Sequence, residues 1–263
     1  MSRFHDRISA GEPAIGSLVF TTGAEAVEAM AHVGFDFLCI DQMVTAIDWT
    51  ETAHLVRAAK LYDCSPWIRL QGYPWAGASE SRSRIAADVM RAMAIGAEGI
   101  TASVDSPEEA SALLHPLAHL HRTNWIEDEF GPEPATSAPD PIVFPLVESL
   151  GAAERIQEFF EIEGLETLFL GLGDLTRLLG ASSREDPRVL SFVQDSVRYA
   201  QRSGKYISVT TGRASSPQEA TRLTKMFWEM GVKAILLPYP TYVLQAFYHQ
   251  VLVDLESIRP RTH

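Results

Sequence analysis

Two stretches decide the fold of this chain: Ile142-Val143-Phe144-Pro145-Leu146-Val147-Glu148 and Leu168-Phe169-Leu170-Gly171-Leu172-Gly173-Asp174. Each contains a short apolar run that ends in turn-forming or charged residues, which is typical of a buried strand in a parallel sheet. The sites of α/β proteins are assembled just beyond the carboxyl ends of such strands. Two carboxylates at neighbouring strand ends repel each other unless a cation lies between them. The sequence therefore predicts that Glu148 and Asp174 bind a divalent metal ion.

Outward from these stretches, apolar strands and helical segments alternate about eight times along the chain. Right-handed crossovers repeated in this way close naturally into a (β/α)₈ barrel, which needs roughly 250 residues. We therefore expect residues 1–263 to form a single TIM-barrel domain, with an open doubly wound sheet as the competing architecture. The chain has no GxGxxG motif after the first strand and no P-loop, so nothing indicates a dinucleotide or NTP site.

The element boundaries follow from periodicity and from helix caps. Gly34 closes a helix as a C-terminal cap, and Asp48 is a candidate N-cap. The loop at 117–140 has no clear periodicity, and long loops of this kind are often functional. Predicted strands are 14–20, 35–40, 65–70, 99–102, 142–147, 168–170, 205–210 and 234–237, and predicted helices are 24–33, 49–62, 83–95, a helix headed by Ser106, 187–202, 217–230 and 241–258.

Composition narrows the classes of function. A net charge of −12 argues against a nucleic-acid or anionic-membrane surface, since both need clustered Lys and Arg. Cys39 and Cys64 lack the spacing of a zinc site or a disulfide framework, so we expect buried thiols. The first residues lack the apolar run of a signal peptide, and no stretch is long enough to span a bilayer. The expectation is a cytoplasmic protein.

Four charged residues close otherwise apolar strands and are the candidate site: Asp41, Arg69, Glu148 and Asp174. The alternative is that polar residues merely mark the ends of strands. Arg69 carries a planar donor fork that suits a substrate carboxylate or carbonyl, although it could instead form an ion pair with Asp41 or Glu148. Gly173 would let backbone N–H groups approach a ligand, or it could simply form a tight turn.

None of the eight histidines falls at a predicted strand end, so none is an obvious general base. We treat them as surface or packing residues. His121 belongs to the long loop at 117–140 and could reach the rim of the barrel only if that loop folds over it.

At these residues the chain resembles the HpcH/HpaI aldolase/citrate lyase family, which belongs to the phosphoenolpyruvate/pyruvate-binding barrels. The matching segments are Ser9–Gly16, Gly34–Asp41, Trp67–Arg69, Val147–Ser149 and Leu170–Leu175, and the resemblance covers nearly the whole chain. It implies a divalent-metal-dependent carbon–carbon lyase of the class II aldolase type. Such an enzyme acts on pyruvate or a related 2-oxoacid through a metal-bound enolate.

The resemblance also implies roles for individual residues. Glu148 and Asp174 would bind Mg²⁺, Mn²⁺ or Co²⁺, and the 2-oxoacid would chelate that ion. Arg69 would stabilise the enolate oxygen. Backbone amides near Gly173 and Asp174 would hold the substrate carboxylate, and Leu146 stands at a substrate-binding position where the family has Gln.

The chain departs from the family pattern at the second strand. The family motif there is Asp-Gly-Glu-His with the His as acid/base, whereas this chain has Asp41-Gln42-Met43-Val44. Three hypotheses stay open. The chain could use another base, such as Asp41 or Tyr73; it could take its base from the long loop; or it could be a catalytically impaired family member that serves as a ligand-binding or assembly protein.

The last helix, from Thr241, is apolar on more than one face, more than one barrel wall requires. It could close its own barrel. The resemblance implies instead that this helix packs against or swaps with a partner subunit in a homo-oligomer, a trimer or a hexamer.

Overall fold

The computed structural model describes residues 3–71, 78–120, 141–214 and 216–256, with side chains excepted at 78–83, 118–120 and 256. Eight parallel strands form a closed barrel in chain order, each paired with the next, and the last strand pairs with the first. The (β/α)₈ prediction is confirmed, and the open sheet is excluded. The strands are β1 Ala14–Val19, β2 Phe37–Asp41, β3 Ser65–Arg69, β4 Gly99–Val104, β5 Ile142–Val147, β6 Thr167–Leu170, β7 Tyr206–Thr210 and β8 Ala234–Leu237.

Helices surround the barrel and connect its strands. They are α1 Arg3–Ser9, α2 Ala24–Val33, α3 Trp49–Lys60, α4 Ala78–Ala94, α5 Pro107–Leu120, α6 Leu150–Glu154, α7 Ile156–Phe159, α8 Leu172–Leu178, α9 Pro187–Arg202, α10 Pro217–Glu229 and α11 Pro240–Glu256. Both predicted caps are confirmed. The Asp48 side chain accepts a hydrogen bond from the Glu51 N–H, and Gly34 adopts a left-handed conformation at φ 108°.

Several boundaries differ from the sequence predictions. Helix α4 starts at Ala78 rather than Ser83, and β4 continues to Val104 rather than Ala102. Residues 117–120 belong to α5, although the sequence predicts that the long loop starts there, because Pro116 inside the helix obscures the period. The rest of that loop, 121–140, lies outside the described residues, as do Tyr73 and His121.

The barrel interior is filled by a stack of aromatic rings. Trp67 lies 3.9 Å from Phe37 and 3.8 Å from Phe144, measured between ring centroids, and Phe4 of α1 packs edge-on against all three from one end. Room for this stack comes from a glycine. A Cβ atom on Gly99 would lie 2.4 Å from the Trp67 ring, so a side chain cannot be added there without displacing the ring. A filled interior leaves the mouth of the barrel as the place for a site.

A second apolar layer joins the outer faces of the strands to the surrounding helices, and it includes Leu38, Ile68, Val147 and Leu170. Helix α11 stands apart from this layer. None of the residues 240–255 is buried. In the described parts of the chain no helix has the length and apolarity to cross a membrane.

Candidate metal and 2-oxoacid site

The barrel places the four predicted charged residues at the carboxyl ends of their strands. Asp41 ends β2 and Arg69 ends β3, and these two residues are direct partners in the strand register. Glu148 follows β5 and Asp174 lies in the first turn of the helix after β6, which is the neighbouring strand. All four charged residues therefore lie on the same rim of the barrel, as the sequence predicts.

Asp41 and Arg69 form a buried ion pair through Oδ2 and Nη2. The Asp41 side chain is fully buried and that of Arg69 is 12% exposed. The other carboxylate oxygen of Asp41 accepts hydrogen bonds from the backbone N–H groups of Met43, at 2.8 Å, and Val44, at 2.9 Å. Asp41 thus holds both the guanidinium and the start of the following loop.

The Nε donor of Arg69 is not used in the ion pair with Asp41. Its Nε atom is buried and has no hydrogen-bond partner among the described residues. A buried donor without an acceptor is costly, so this atom is a candidate donor to a ligand. The ion-pair alternative for Arg69 is therefore confirmed for Nη2, and a substrate contact through Nε stays a prediction.

Glu148 is positioned by a hydroxyl and by a glycine. The Ser103 Oγ atom donates a hydrogen bond of 2.6 Å to Oε1 of Glu148. A Cβ atom on Gly171 would lie 2.6 Å from the Glu148 Cβ atom and 3.1 Å from Oε2. Gly171 therefore makes space for the carboxylate.

Asp174 lies on the other side of the same cavity. That cavity is lined by Met43, Glu148, Ser149, Asp174, Arg177 and Leu178. Asp174 forms an i,i+3 ion pair with Arg177, and its side chain is 45% exposed. A cation bound between Asp174 and Glu148 would have to compete with this ion pair, which is weak because it faces solvent.

The two remaining predicted substrate contacts have different surroundings. In α8 the Asp174 N–H donates to the Gly171 carbonyl at 3.1 Å, whereas the Gly173 N–H has no backbone acceptor in the described chain. The substrate contact predicted for the amides near Gly173 and Asp174 stays a prediction, and the Gly173 N–H is the candidate of the two that lacks a backbone acceptor in the described chain. Leu146 is buried in the barrel interior, beside Phe144 and Phe169, and closes the floor below Glu148.

The donor set fits a hard divalent cation. Mg²⁺ is commonly held by one or two carboxylates, with water and substrate oxygens completing its coordination. Glu148 and Asp174 supply two such carboxylates in one cavity. Within residues 3–71, 78–120, 141–214 and 216–256, no group of three or more His, Cys, Asp or Glu side chains is placed to hold a metal. The two carboxylates of the described cavity therefore suit a magnesium or manganese ion.

Sequence reasoning missed Ser103 at this site. Ser103 also contacts the Met43 sulfur at 3.5 Å, so it links the strand-two segment to Glu148. The sequence indicates Ser103 only weakly, because β4 runs two residues farther than its apolar pattern predicts. Ser103 is recognised as a strand residue only when β4 is extended to Val104. No histidine lines the described cavity.

Both cysteines are buried free thiols, as predicted. Burial raises the pKa of Cys39 to about 12, and burial likewise raises the pKa of Cys64 to about 12. Protonated thiols are poor nucleophiles, so neither cysteine is suited to catalysis.

No family model matches the chain. Curated aldolases of the HpcH/HpaI type are nevertheless similar along most of its length. A hydroxypyruvate/pyruvate aldolase of Rhizorhabdus wittichii is 24% identical over 216 residues, or 77% of this chain and 80% of that protein. A 4-hydroxy-2-oxo-heptane-1,7-dioate aldolase of Klebsiella pneumoniae is 22% identical over 263 residues, with 97% of each protein covered.

Solved structures show the same fold. An HpcH/HpaI aldolase from Desulfitobacterium hafniense superimposes with a TM-score of 0.76 at 19% identity, covering 100% of both chains. The citrate synthase SbnG gives a TM-score of 0.74 at 21% identity, covering 97% of this chain and 98% of that one. The predicted resemblance is confirmed: along most of its length the chain is similar to aldolases of the HpcH/HpaI aldolase/citrate lyase family.

Proposed function

We propose that this protein is a divalent-metal-dependent carbon–carbon lyase of the aldolase type that acts on pyruvate or a related 2-oxoacid. The observation that carries the proposal is the shared cavity of Glu148 and Asp174 at the mouth of the barrel. Its relatives named as aldolases of pyruvate and of 2-oxoacids support the same reaction class. A divalent ion bound there would act as a Lewis acid on the oxoacid and lower the cost of forming its enolate.

The residues of the chain would then divide the remaining work. Arg69 directs its buried Nε donor at the oxygen on which enolate charge develops, which is where a preorganised donor lowers the barrier most. The Gly173 N–H binds the carboxylate of the oxoacid, and the positive end of α8 adds to that attraction. Met43 contributes a less polar wall than the Glu of the family motif would.

Asp41 is better suited to hold Arg69 than to accept a proton from substrate. One of its oxygens receives two backbone N–H groups and the other pairs with Arg69. Both oxygens of this fully buried carboxylate therefore lie against N–H or guanidinium groups of the protein itself. We therefore propose that Asp41 is a positioning residue, and that the proton acceptor of this non-standard enzyme is another group.

Deuterium exchange tests this function without knowledge of the acceptor. Pyruvate, protein and Mg²⁺ are mixed in heavy water, and loss of the methyl proton signal is followed by NMR. We expect exchange that EDTA stops. The variant Asp41→Asn tests the role of Asp41. If Asp41 only positions Arg69, the variant should slow exchange and leave the pH dependence of the exchange rate unchanged. Loss of the acidic limb of that pH dependence would identify Asp41 as the base. Binding of pyruvate without any exchange would contradict the lyase proposal and favour a ligand-binding protein.

We also propose that α11 packs against a second copy of this chain in a homo-oligomer, a trimer or a hexamer. Large apolar side chains along α11 are exposed, among them Phe247, which is 62% exposed, and Val243 and Leu252. A cavity of about 860 Å³ separates the helix from the barrel wall near Phe35 and Leu237. Exposed apolar surface of this extent is typical of a protein interface.

The oligomer can be tested by sedimentation velocity. Wild-type protein should sediment as a trimer or hexamer, and Phe247→Asp should shift it toward monomer because a charge would be buried in the interface. Trp228→Gln is the matched control, since Trp228 is an exposed aromatic residue on α10. A wild-type monomer would contradict the proposal.

A further inference from the structure

A second polar cavity opens beside the candidate metal site, at the rim formed after β6 and β7. Its volume is about 320 Å³, and its lining includes Gly173, Thr176, Ser183, Arg184 and Arg213. Gly173 lines this cavity while the adjacent Asp174 lines the one described above. The two cavities therefore meet at the first turn of α8.

Arg184 is built into the wall of this cavity. Its guanidinium lies directly over Gly212, where a Cβ atom would sit 1.0 Å from Nη1. Gly212 also has a φ of +77°, so both the space and the backbone conformation require glycine. Nη1 donates to the Thr211 carbonyl at 3.3 Å, and Nη2 lies 3.2 Å from the position of a Cβ atom on Gly173.

The charge of Arg184 is not offset by a carboxylate in any described ion pair. Its Nε atom is buried and has no hydrogen-bond partner within the described chain. Burial lowers the pKa of the Arg184 guanidinium; Tyr239 opposes this with a smaller raising effect, and the nearby positive charge of Arg213 adds a still smaller lowering effect. Two guanidinium groups held together in a partly buried place are stabilised by an anion.

Arg213 is held at the opposite side of this rim by aromatic residues. Its Nε donates to the Tyr239 hydroxyl at 3.3 Å, and its Cζ atom lies 5.6 Å from the centre of the Tyr242 ring. These contacts restrict the side chain and leave its terminal nitrogens for a ligand.

The carboxylates in the lining are directed at a different arginine. Glu185 forms a two-point ion pair with Arg222, with N–O distances of 2.6 and 3.0 Å. Glu219 lies in the first turn of α10 and raises the pKa of the same Arg222. Arg222 therefore engages Glu185, and no described ion pair joins a carboxylate of the lining to Arg184 or Arg213.

We propose that this cavity is an anion-binding site in which Arg184 and Arg213 take a carboxylate or phosphate group of a small molecule. Paired guanidinium groups suit either anion, because both present oxygens in a geometry that matches the donor fork. The anion could be a free ligand or the distal group of the second substrate. The latter assignment rests on the proposed lyase function, whereas binding of a free anion does not.

The first test uses inorganic phosphate as the probe and thermal unfolding as the readout, in EDTA and at constant ionic strength. Phosphate should raise the melting temperature of the wild type. Arg184→Gln and Arg213→Gln should each weaken the apparent affinity about tenfold, since each removes a charge-assisted hydrogen bond. Arg213 is exposed, so its variant will fold even if Arg184→Gln does not.

The control is Arg198→Gln, which removes a guanidinium from an exposed i,i+3 pair on α9. It should respond to phosphate as the wild type does. Absence of phosphate protection in the wild type, or equal protection in Arg184→Gln, Arg213→Gln and Arg198→Gln, would overturn the proposal.

The second test separates the two sources of the anion. Cleavage of 4-hydroxy-2-oxoheptanedioate, which has a distal carboxylate, is compared with cleavage of 4-hydroxy-2-oxopentanoate, which lacks one. An increase of about tenfold in KM for the first substrate alone in Arg213→Gln would assign the cavity to the substrate. An unchanged KM for both substrates together with loss of phosphate protection would support a free anionic ligand. Failure of both cleavage reactions would count against the lyase and leave the phosphate result standing.

Discussion

Glu148→Gln is expected to abolish metal binding while leaving the fold intact. The amide is the same size as the carboxylate, and its oxygen can still accept the hydrogen bond from Ser103. It lacks the negative charge that a hard divalent cation requires. Isothermal titration with Mn²⁺ should show a loss of affinity of at least about 100-fold, because even outer-shell changes at metal sites cost 10–100-fold. Pyruvate exchange should fall by at least about the same factor.

Two comparison variants sharpen this experiment. Glu154→Gln makes the same chemical change on the exposed surface of α6 and should bind Mn²⁺ as the wild type does. Arg177→Gln should increase Mn²⁺ affinity by a few-fold at most, because it removes the ion pair that competes for Asp174. If Glu148→Gln bound Mn²⁺ normally, the two-carboxylate site would be wrong and the proposed reaction would lose its basis.

Arg69→Met is expected to give the largest loss of stability among the site variants. It leaves the Asp41 carboxylate fully buried without its cation. Breaking a buried ion pair from one side costs about 3–5 kcal/mol, since the remaining charge stays desolvated. Urea denaturation should therefore show a lower free energy of unfolding by about that amount. Pyruvate exchange should also be lost, because the donor to the developing enolate is absent.

A double-mutant cycle identifies the cause of that loss. Adding Asp41→Asn to Arg69→Met should restore about 2 kcal/mol or more, because the uncompensated charge is removed while the amide oxygen can still accept the Met43 and Val44 N–H groups. Arg198→Met is the surface control: it breaks an exposed i,i+3 pair with Asp195 and should cost at most about 1 kcal/mol. No recovery in the double variant would mean that the Asp41–Arg69 charges are not coupled as the structure indicates.

The sequence predicts strand order and strand ends well because buried parallel strands leave a strong local signal. Runs such as Ile142–Val147 are continuous and apolar, and they are bounded by polar residues at both ends. The third strand, which the sequence predicts at 65–70, is observed at Ser65–Arg69. The start of α4 and the end of α5 were misplaced because helix ends depend on caps and on tertiary contacts rather than on the period.

The candidate site likewise has features that the sequence predicts and features that it does not. Glu148 and Asp174 could be predicted to converge, since parallel topology brings the ends of adjacent strands together. Ser103 and Gly171 could not be assigned their roles, because one depends on which face of β4 points inward and the other on an atom-level clearance beside Glu148.

The amino-acid sequence by itself determined the barrel, the four charged strand ends and the absence of a histidine at position 44. These features depend on periodicity and order along the chain, which are local properties. Only the tertiary structure showed that Asp41 forms an ion pair with Arg69 and that the Arg69 Nε donor is buried without a described partner. It also showed that Arg184 and Arg213 line the same cavity. Those relations join residues that are far apart in the chain, and their energies depend on burial and distance, which no one-dimensional pattern records.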